Sequence, residues 1–226
     1  MTRAAGDRSC DVVVVGARCA GAALATHLAR AGVSVVVVDA APLGSNQPAS
    51  THLIQPPGMD ELDTLGVGDQ VRDLSPAINT ARMTFDNYRA DFPYGHGVAA
   101  HCLRRAALDS RLQHLAAEAG ATVRGDTRVV EVLRDESGRV DGVVSRDRDG
   151  RTQRLLAPLV VGADGRNSNV AKLVHAEEYL GYDAPRGCYW AYWKRPSGCD
   201  LAGRRGGAAA SASRSEAGVA PSSDVA

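Results

Sequence analysis

The chain has 226 residues, 44% of them hydrophobic but only 4% aromatic, and its 26 Lys plus Arg balance its 26 Asp plus Glu. That length can bury a sizeable core in one domain of ordinary size, and a formal charge of zero builds in no attraction to nucleic acid or to an anionic lipid surface. No run of eighteen apolar residues occurs, and the first apolar run is too short for a secretory signal, so no transmembrane span is expected and the cytoplasm is the expected location.

Residues 1–10 are short and polar and read as a flexible lead-in. Val12 to Val15 follow as a continuous β-branched run, the pattern of a strand covered on both faces. After the Gly16 to Gly21 turn, Ala22 to Ala31 read as a helix with Gly32 as its stop, and Val33 to Val38 form a second strand ending in Asp39. Strand, turn, helix and strand make a βαβ unit with a parallel pair. Residues 40–60 carry four prolines and predict a long loop. A weak helical pattern covers Met59 to Val71, and Met83 to Tyr94 are expected to supply strands of a second layer. Leu108, Leu112, Leu115 and Ala119 give a helix over Arg104 to Ala119.

Arg128 to Leu133, Val140 to Ser145 and Thr152 to Ala157 are separated by turn-rich segments and predict an antiparallel meander. Leu159 to Val161 return to the buried parallel type, ended by Gly162-Ala163-Asp164-Gly165, and Ser168 to Val174 read as a helix capped by Ser168. Four of the six tyrosines and both tryptophans cluster between Tyr179 and Trp193, whereas 202–226 are dominated by Ala, Ser and Gly without apolar period and are expected to be disordered. Five scattered cysteines with no CxxC pair, and histidines without ligand spacing, point to neither a disulfide framework nor a metal site.

The chemical signal is concentrated in Gly16-Ala17-Arg18-Cys19-Ala20-Gly21. A dinucleotide-binding turn needs one glycine at the bend after the strand and another where helix and strand approach, while the helix N-terminus offers N–H groups to a pyrophosphate. Gly16 and Gly21 stand at those outer positions, and Arg18 replaces the middle glycine. Asp39, at the end of the second strand, is placed to accept hydrogen bonds from a ribose diol and disfavours a 2′-phosphate. The βαβ unit alone leaves NAD and FAD open.

Together with Arg105-Ala-Ala-Leu108 and Leu159-Val-Val-Gly162-Ala-Asp164-Gly165, the turn resembles the FAD-dependent monooxygenase and geranylgeranyl-reductase superfamily, with the p-hydroxybenzoate-hydroxylase-like fold. The likeness implies an α/β fold: a Rossmann-like FAD/NAD(P)-binding domain with an antiparallel crossover meander and a partial substrate-domain sheet. It divides the chain into a lead-in at 1–10, an FAD-binding domain at 11–175 with inserted segments at 76–100, the start of a substrate domain at 176–198 and a tail at 199–226. It also implies FAD as cofactor, NADH or NADPH as reductant and a small-molecule substrate, and it leaves the oligomeric state open.

By the same resemblance Gly16, Ala17, Arg18, Cys19, Ala20 and Gly21 surround the FAD pyrophosphate, Asp39 the adenosine ribose, Arg105 the ribityl and phosphate region, and backbone groups of Val129 the adenine. Asp164 and Gly165 lie near the pyrophosphate and the nicotinamide path. The family's later Gly-Asp and Pro flavin segment is not in this chain. The resemblance therefore implies a monooxygenase, a prenyl reductase, or a truncated flavin-binding fragment without catalysis.

Overall fold

Residues 8–47, 50, 52–95 and 97–181 are described in the computed structural model of the chain. In chain order the elements are β1 (Arg8–Ser9), β2 (Val12–Val15), α1 (Cys19–Arg30), β3 (Val35–Val38), β4 (Leu53–Ile54), α2 (Pro56–Leu65) and α3 (Gly68–Leu74). Then come β5 (Thr80–Phe85), β6 (Tyr88–Pro93), β7 (His101–Cys102), α4 (Arg105–Glu118), β8 (Thr122–Arg124), β9 (Thr127–Arg134), β10 (Val140–Asp147), β11 (Thr152–Leu156), β12 (Leu159–Gly162) and α5 (Asn169–Leu173).

The two valine runs form the centre of a parallel sheet of order β12-β2-β3-β8, in which Val12 to Val15 align residue for residue with Val35 to Val38. All eight valines are buried because both faces of the sheet are covered. Val12, Val14, Val35 and Val37 pack against small residues of α1 and α4, chiefly Ala25 and Ala116. Val13, Val15, Val36 and Val38 pack on the other side against Val129, Val143 and Leu155 of a second sheet, of order β1-β11-β10-β9. A third cluster, Met59, Leu62, Leu65, Val71, Leu108 and Leu112, joins α2 and α3 to α4. Alanine on the helices lets them lie close to the valine sheet, so the core closes with few aromatic rings. The result is the Rossmann-like α/β class with an antiparallel meander that the sequence implies.

Several elements differ from the sequence reading. α1 starts at Cys19 rather than Ala22, so the turn's second half is already helical. It ends in a pair of bonds, Gly32 N–H to Ala29 C=O at 2.9 Å and Val33 N–H to Leu28 C=O at 3.0 Å, which take Val33 out of the second strand. The proline-rich stretch is not one long loop: Pro56 and Pro57 open α2, where a missing N–H costs nothing, and Gly66 separates α2 from α3. Arg8 and Ser9 leave the expected lead-in to pair with Leu155 and Leu156. The short strand β8 joins β3 unannounced, since three residues carry no readable period. The segment at 80–93 forms an exposed hairpin whose strands pair with each other and with no other strand among the described residues, rather than a packed second layer. The aromatic residues from Tyr182 to Trp193 and the tail at 199–226 lie outside the described residues.

Candidate functional site

The carboxyl ends of β12, β2 and β3 open into a cavity of about 960 Å3, whose walls include Gly16, Arg18, Cys19, Ala20, Asp39, Arg105, Val129, Asp164 and Gly165. Open α/β sheets bind ligands in this position. Gly16 turns the chain at φ +105°, and a Cβ there would collide with the Ala163 carbonyl, 2.6 Å from its carbon. The turn thus tucks under the end of β12, and only glycine fits.

The helix that follows starts without a side-chain cap on Arg18 and without an acidic residue in its first turn. Its first intrahelical bond is Ala22 N–H to Arg18 C=O at 2.8 Å, so the amides of Cys19, Ala20 and Gly21 precede the hydrogen-bonded ladder. Of these three residues, Cys19 and Ala20 line the cavity. Such an end is electrostatically suited to an anion. Ala17 and Gly21, two of the residues singled out from the sequence, are not in the cavity wall. Ala17 is fully buried, with its N–H donating to Asp39 Oδ2 at 2.8 Å and its C=O accepting from Gln113 Nε2 at 2.8 Å. Gly21 packs against the Gly16 carbonyl beneath the turn.

Asp39 accepts from Ala17 N–H through Oδ2 and from Ala41 N–H through Oδ1, both at 2.8 Å. Each oxygen keeps a second lone pair, so the carboxylate fixes the loop and still has acceptor capacity at the cavity. Asp164 is also engaged on the protein side. Its Oδ2 accepts from the Asn169 and Val170 amides at 2.6 and 3.1 Å, and its Oδ1 accepts from Ser168 Oγ at 2.6 Å. Ser168 caps α5 as expected, accepting from the Ala171 amide at 3.0 Å. Val129 offers a backbone carbonyl that already accepts from Asn169 Nδ2 at 2.8 Å.

Sequence reasoning passes over Asp109 and Gln113, two polar residues buried on α4. Asp109 is wholly buried and receives Arg105 through Nε and Nη2 at 2.9 to 3.1 Å, Arg18 Nη1 at 3.1 Å and the Cys19 thiol at 3.2 Å. Gln113 joins the turn to the following loop by donating to Ala17 and accepting from the Gly44 amide at 2.9 Å. The signal available in the sequence was the i,i+4 spacing of Arg105 and Asp109. His52, buried with φ +59°, accepts the Arg105 amide at Nδ1, 3.0 Å away, and so anchors the start of α4. Burial, then the neighbouring Asp109 carboxylate, pushes the Cys19 thiol up to about 12, which makes it a hydrogen-bond donor rather than a nucleophile.

A glycine turn under a helix start, an acid at the end of the neighbouring strand and two guanidiniums thus converge on one cavity. Residues 9–186 match the model of a family described as FAD binding domain.

The chain belongs to the FAD binding domain family.

This is a family of flavoprotein oxidoreductases and monooxygenases. The FAD binding domain is 37% identical over 178 residues to a menaquinone reductase of Mycolicibacterium smegmatis, covering 76% of this chain and 42% of that protein. It is also 37% identical over 177 residues to ubiquinone hydroxylase UbiL of Rhodospirillum rubrum, covering 73% and 39%. The structure of the flavin-dependent monooxygenase PieE with FAD and substrate superposes with a TM-score of 0.62 at 25% identity, over 76% of this chain and 33% of that one. The chain thus spans about two fifths of the length of these curated relatives. No helix among the described residues is long and apolar enough to cross a membrane.

Proposed function

We propose that the cavity binds FAD, with the adenosine ribose at Asp39, the adenine beside the β9 backbone at Val129, and the pyrophosphate between the first-turn amides of Cys19 and Ala20 and the guanidiniums of Arg18 and Arg105. The observation that carries this reading is the convergence of Gly16, the uncapped start of α1, Asp39 and two arginines on one cavity at the carboxyl ends of the parallel strands. The residues fit the group. The cavity is large enough for most of a dinucleotide, and a Cβ at Gly16 has no room. Two positive side chains, Arg18 and Arg105, line the cavity with the start of α1. Gly165 turns the chain at φ +87° in the cavity wall beside Asp164, whose carboxylate accepts from the first amides of α5.

When bound, FAD supplies redox chemistry that no side chain of this site provides. The chain's own contribution is to orient the nucleotide half: amides and guanidiniums neutralise the diphosphate, and Asp39 selects an unmodified ribose. The whole protein is read as an NADH- or NADPH-dependent monooxygenase acting on a small organic substrate, supported by the 37% identity to ubiquinone hydroxylase. A second reading, reduction of an isoprenoid substrate, is supported by equal identity to menaquinone reductase over nearly the same length.

The first test is titration of the purified chain with FAD, followed by flavin fluorescence and by the visible spectrum. Saturable one-to-one binding is expected, and a linear, unsaturable response overturns the site. Incubation of the FAD-loaded protein with NADH or NADPH and a polyprenylated quinone, with and without oxygen, separates the two activities: hydroxylation consumes oxygen stoichiometrically with the quinone, whereas reduction of a side-chain double bond proceeds anaerobically.

A further inference from the structure

Among the described residues, Asp109 is the most heavily hydrogen-bonded buried side chain that the cofactor reading leaves without a role. It is wholly buried and does not line the cavity, whereas its partners among the described residues, Arg18, Cys19 and Arg105, all do. Its Oδ1 accepts from Cys19 Sγ and from Arg105 Nε and Nη2, and its Oδ2 accepts from Arg18 Nη1 and again from Arg105 Nη2. Arg18 comes from the glycine turn and Arg105 from the first residue of α4, so one carboxylate ties together two cations that are far apart in the chain. The far side of Arg18 is held as well, by Ser45 Oγ at 3.2 Å and the Ser45 carbonyl at 3.4 Å.

Two guanidiniums beside each other repel, and each long side chain alone samples many rotamers. A carboxylate received in a fork geometry removes both difficulties, because it fixes the planes of the guanidiniums and cancels one of their two charges. Truncation of such a buried partner is costly to whatever depends on it.

We propose that Asp109 is a positioning residue for diphosphate recognition: it clamps Arg18 and Arg105 against one wall of the cavity so that their remaining N–H groups meet the phosphates of the bound nucleotide in a fixed arrangement. The inference rests on the FAD reading of the same cavity and extends it to a residue that touches no ligand. It also accounts for an arginine at the middle position of the glycine turn. Arg18 is drawn down onto α4 by Asp109 rather than left to fill the space a phosphate needs.

The test compares ADP with adenosine, two ligands that share the nucleoside and differ in the diphosphate, by calorimetric titration of the full chain and its Asp109→Asn variant. The expected result is a fall of about tenfold in ADP affinity with adenosine changed by less than about twofold, the loss of one charge-assisted hydrogen bond directed at phosphate. In a background of Arg18→Gln with Arg105→Gln, Asp109→Asn should no longer change the ratio of the two affinities. Parallel losses for both ligands would show a merely structural role and overturn the proposal. Unchanged or tighter ADP binding would mean that Asp109 acts only as an opposing charge, and it would overturn the proposal too.

Should Asp109→Asn not fold, the paired variant Asp109→Asn with Arg105→Gln removes one charge of each sign and so keeps the net charge of the cluster unchanged. Adding Arg18→Gln to it should then leave the ADP-to-adenosine ratio unchanged, although Arg18→Gln alone lowers that ratio in the parent chain. A further drop in the paired background would refute the clamp. Failure of the parent chain to bind FAD, ADP or adenosine would overturn the cofactor reading itself, a result distinct from any of these.

Discussion

Replacing Gly21 by alanine asks whether the glycine turn is held by close backbone approach rather than by backbone flexibility. In an exposed helix interior the exchange stabilises by about 1 kcal/mol, because alanine is the better helix former. At this position a Cβ would fall well inside contact distance of the Gly16 carbonyl oxygen, 3.0 Å from its carbon and 3.2 Å from Val14 Cγ1. Neither neighbour can yield. The Gly16 amide is bonded to the Val38 carbonyl at 2.7 Å, and Val14 is 0% exposed in the middle of the sheet. α1 must therefore lift from β2, disturbing the Val14, Ala25 and Val37 cluster.

Overpacking of this kind costs about 1–3 kcal/mol, and a clash with backbone belongs at the upper end. Subtracting the helical gain leaves a net loss of about 2 kcal/mol, or roughly 4–8 °C in Tm for a domain of this size. Urea unfolding followed by far-ultraviolet circular dichroism measures it as a lower midpoint at unchanged slope. A midpoint equal to or above that of the parent chain would refute the argument, since it would mean that helix and strand have room to spare.

Asp39→Ala should weaken FAD binding by about 1–3 kcal/mol, the range for a charge-assisted contact, and an unchanged dissociation constant by calorimetry would remove Asp39 from the site. Asp164→Ala removes the acceptor of the Asn169 and Val170 amides and should lower stability by about 1 kcal/mol in urea, as loss of a helix cap does; an unaltered midpoint would deny the capping role. With its thiol pushed up to about 12, Cys19 should stay unmodified when the native chain is alkylated at mildly alkaline pH while the exposed Cys102 reacts, as mass mapping would show. Because the Cys19 proton is held more tightly in the folded state than in the unfolded one, its contribution to stability is complete below the ordinary thiol value of 9.0 and is lost as pH rises toward about 12. A rise in unfolding midpoint across that window would contradict the sign.

The nucleotide-binding half of the fold was legible because its physics is local. A run of four valines between polar or glycine punctuation has few other uses than a strand covered on both faces, and the helix between the two runs fixes their parallel pairing. Ser168 was readable as a cap for the same reason, since its partner lies three residues away. Asp109 was not, because an aspartate in the middle of a helix ordinarily faces water, and here its partner Arg18 lies 91 positions earlier in the chain. Asp109 and Gln113 sit on the same buried face of α4 as Leu108 and Leu112, so two polar groups interrupt the apolar stripe that marks a helix's inner side. Pro56 and Pro57 misled in the other direction, since at the first turn proline begins a helix as readily as it ends one.

The order of strands in the central sheet has a consequence for how the chain acquires its shape. β2 and β12 lie side by side, yet roughly 150 residues of polypeptide separate them. At the pace of synthesis, about 5–20 residues per second, the first strand leaves the ribosome on the order of ten seconds before its neighbour exists. During that interval β2 presents an unpaired valine edge, and Gly16 has no Ala163 carbonyl to settle beneath. Docking of β12 is thus the event that both covers the valine edge of β2 and completes the cavity wall, so cofactor binding and protection of that edge should arise together, late, in a slow step set by long-range pairing rather than by helix formation.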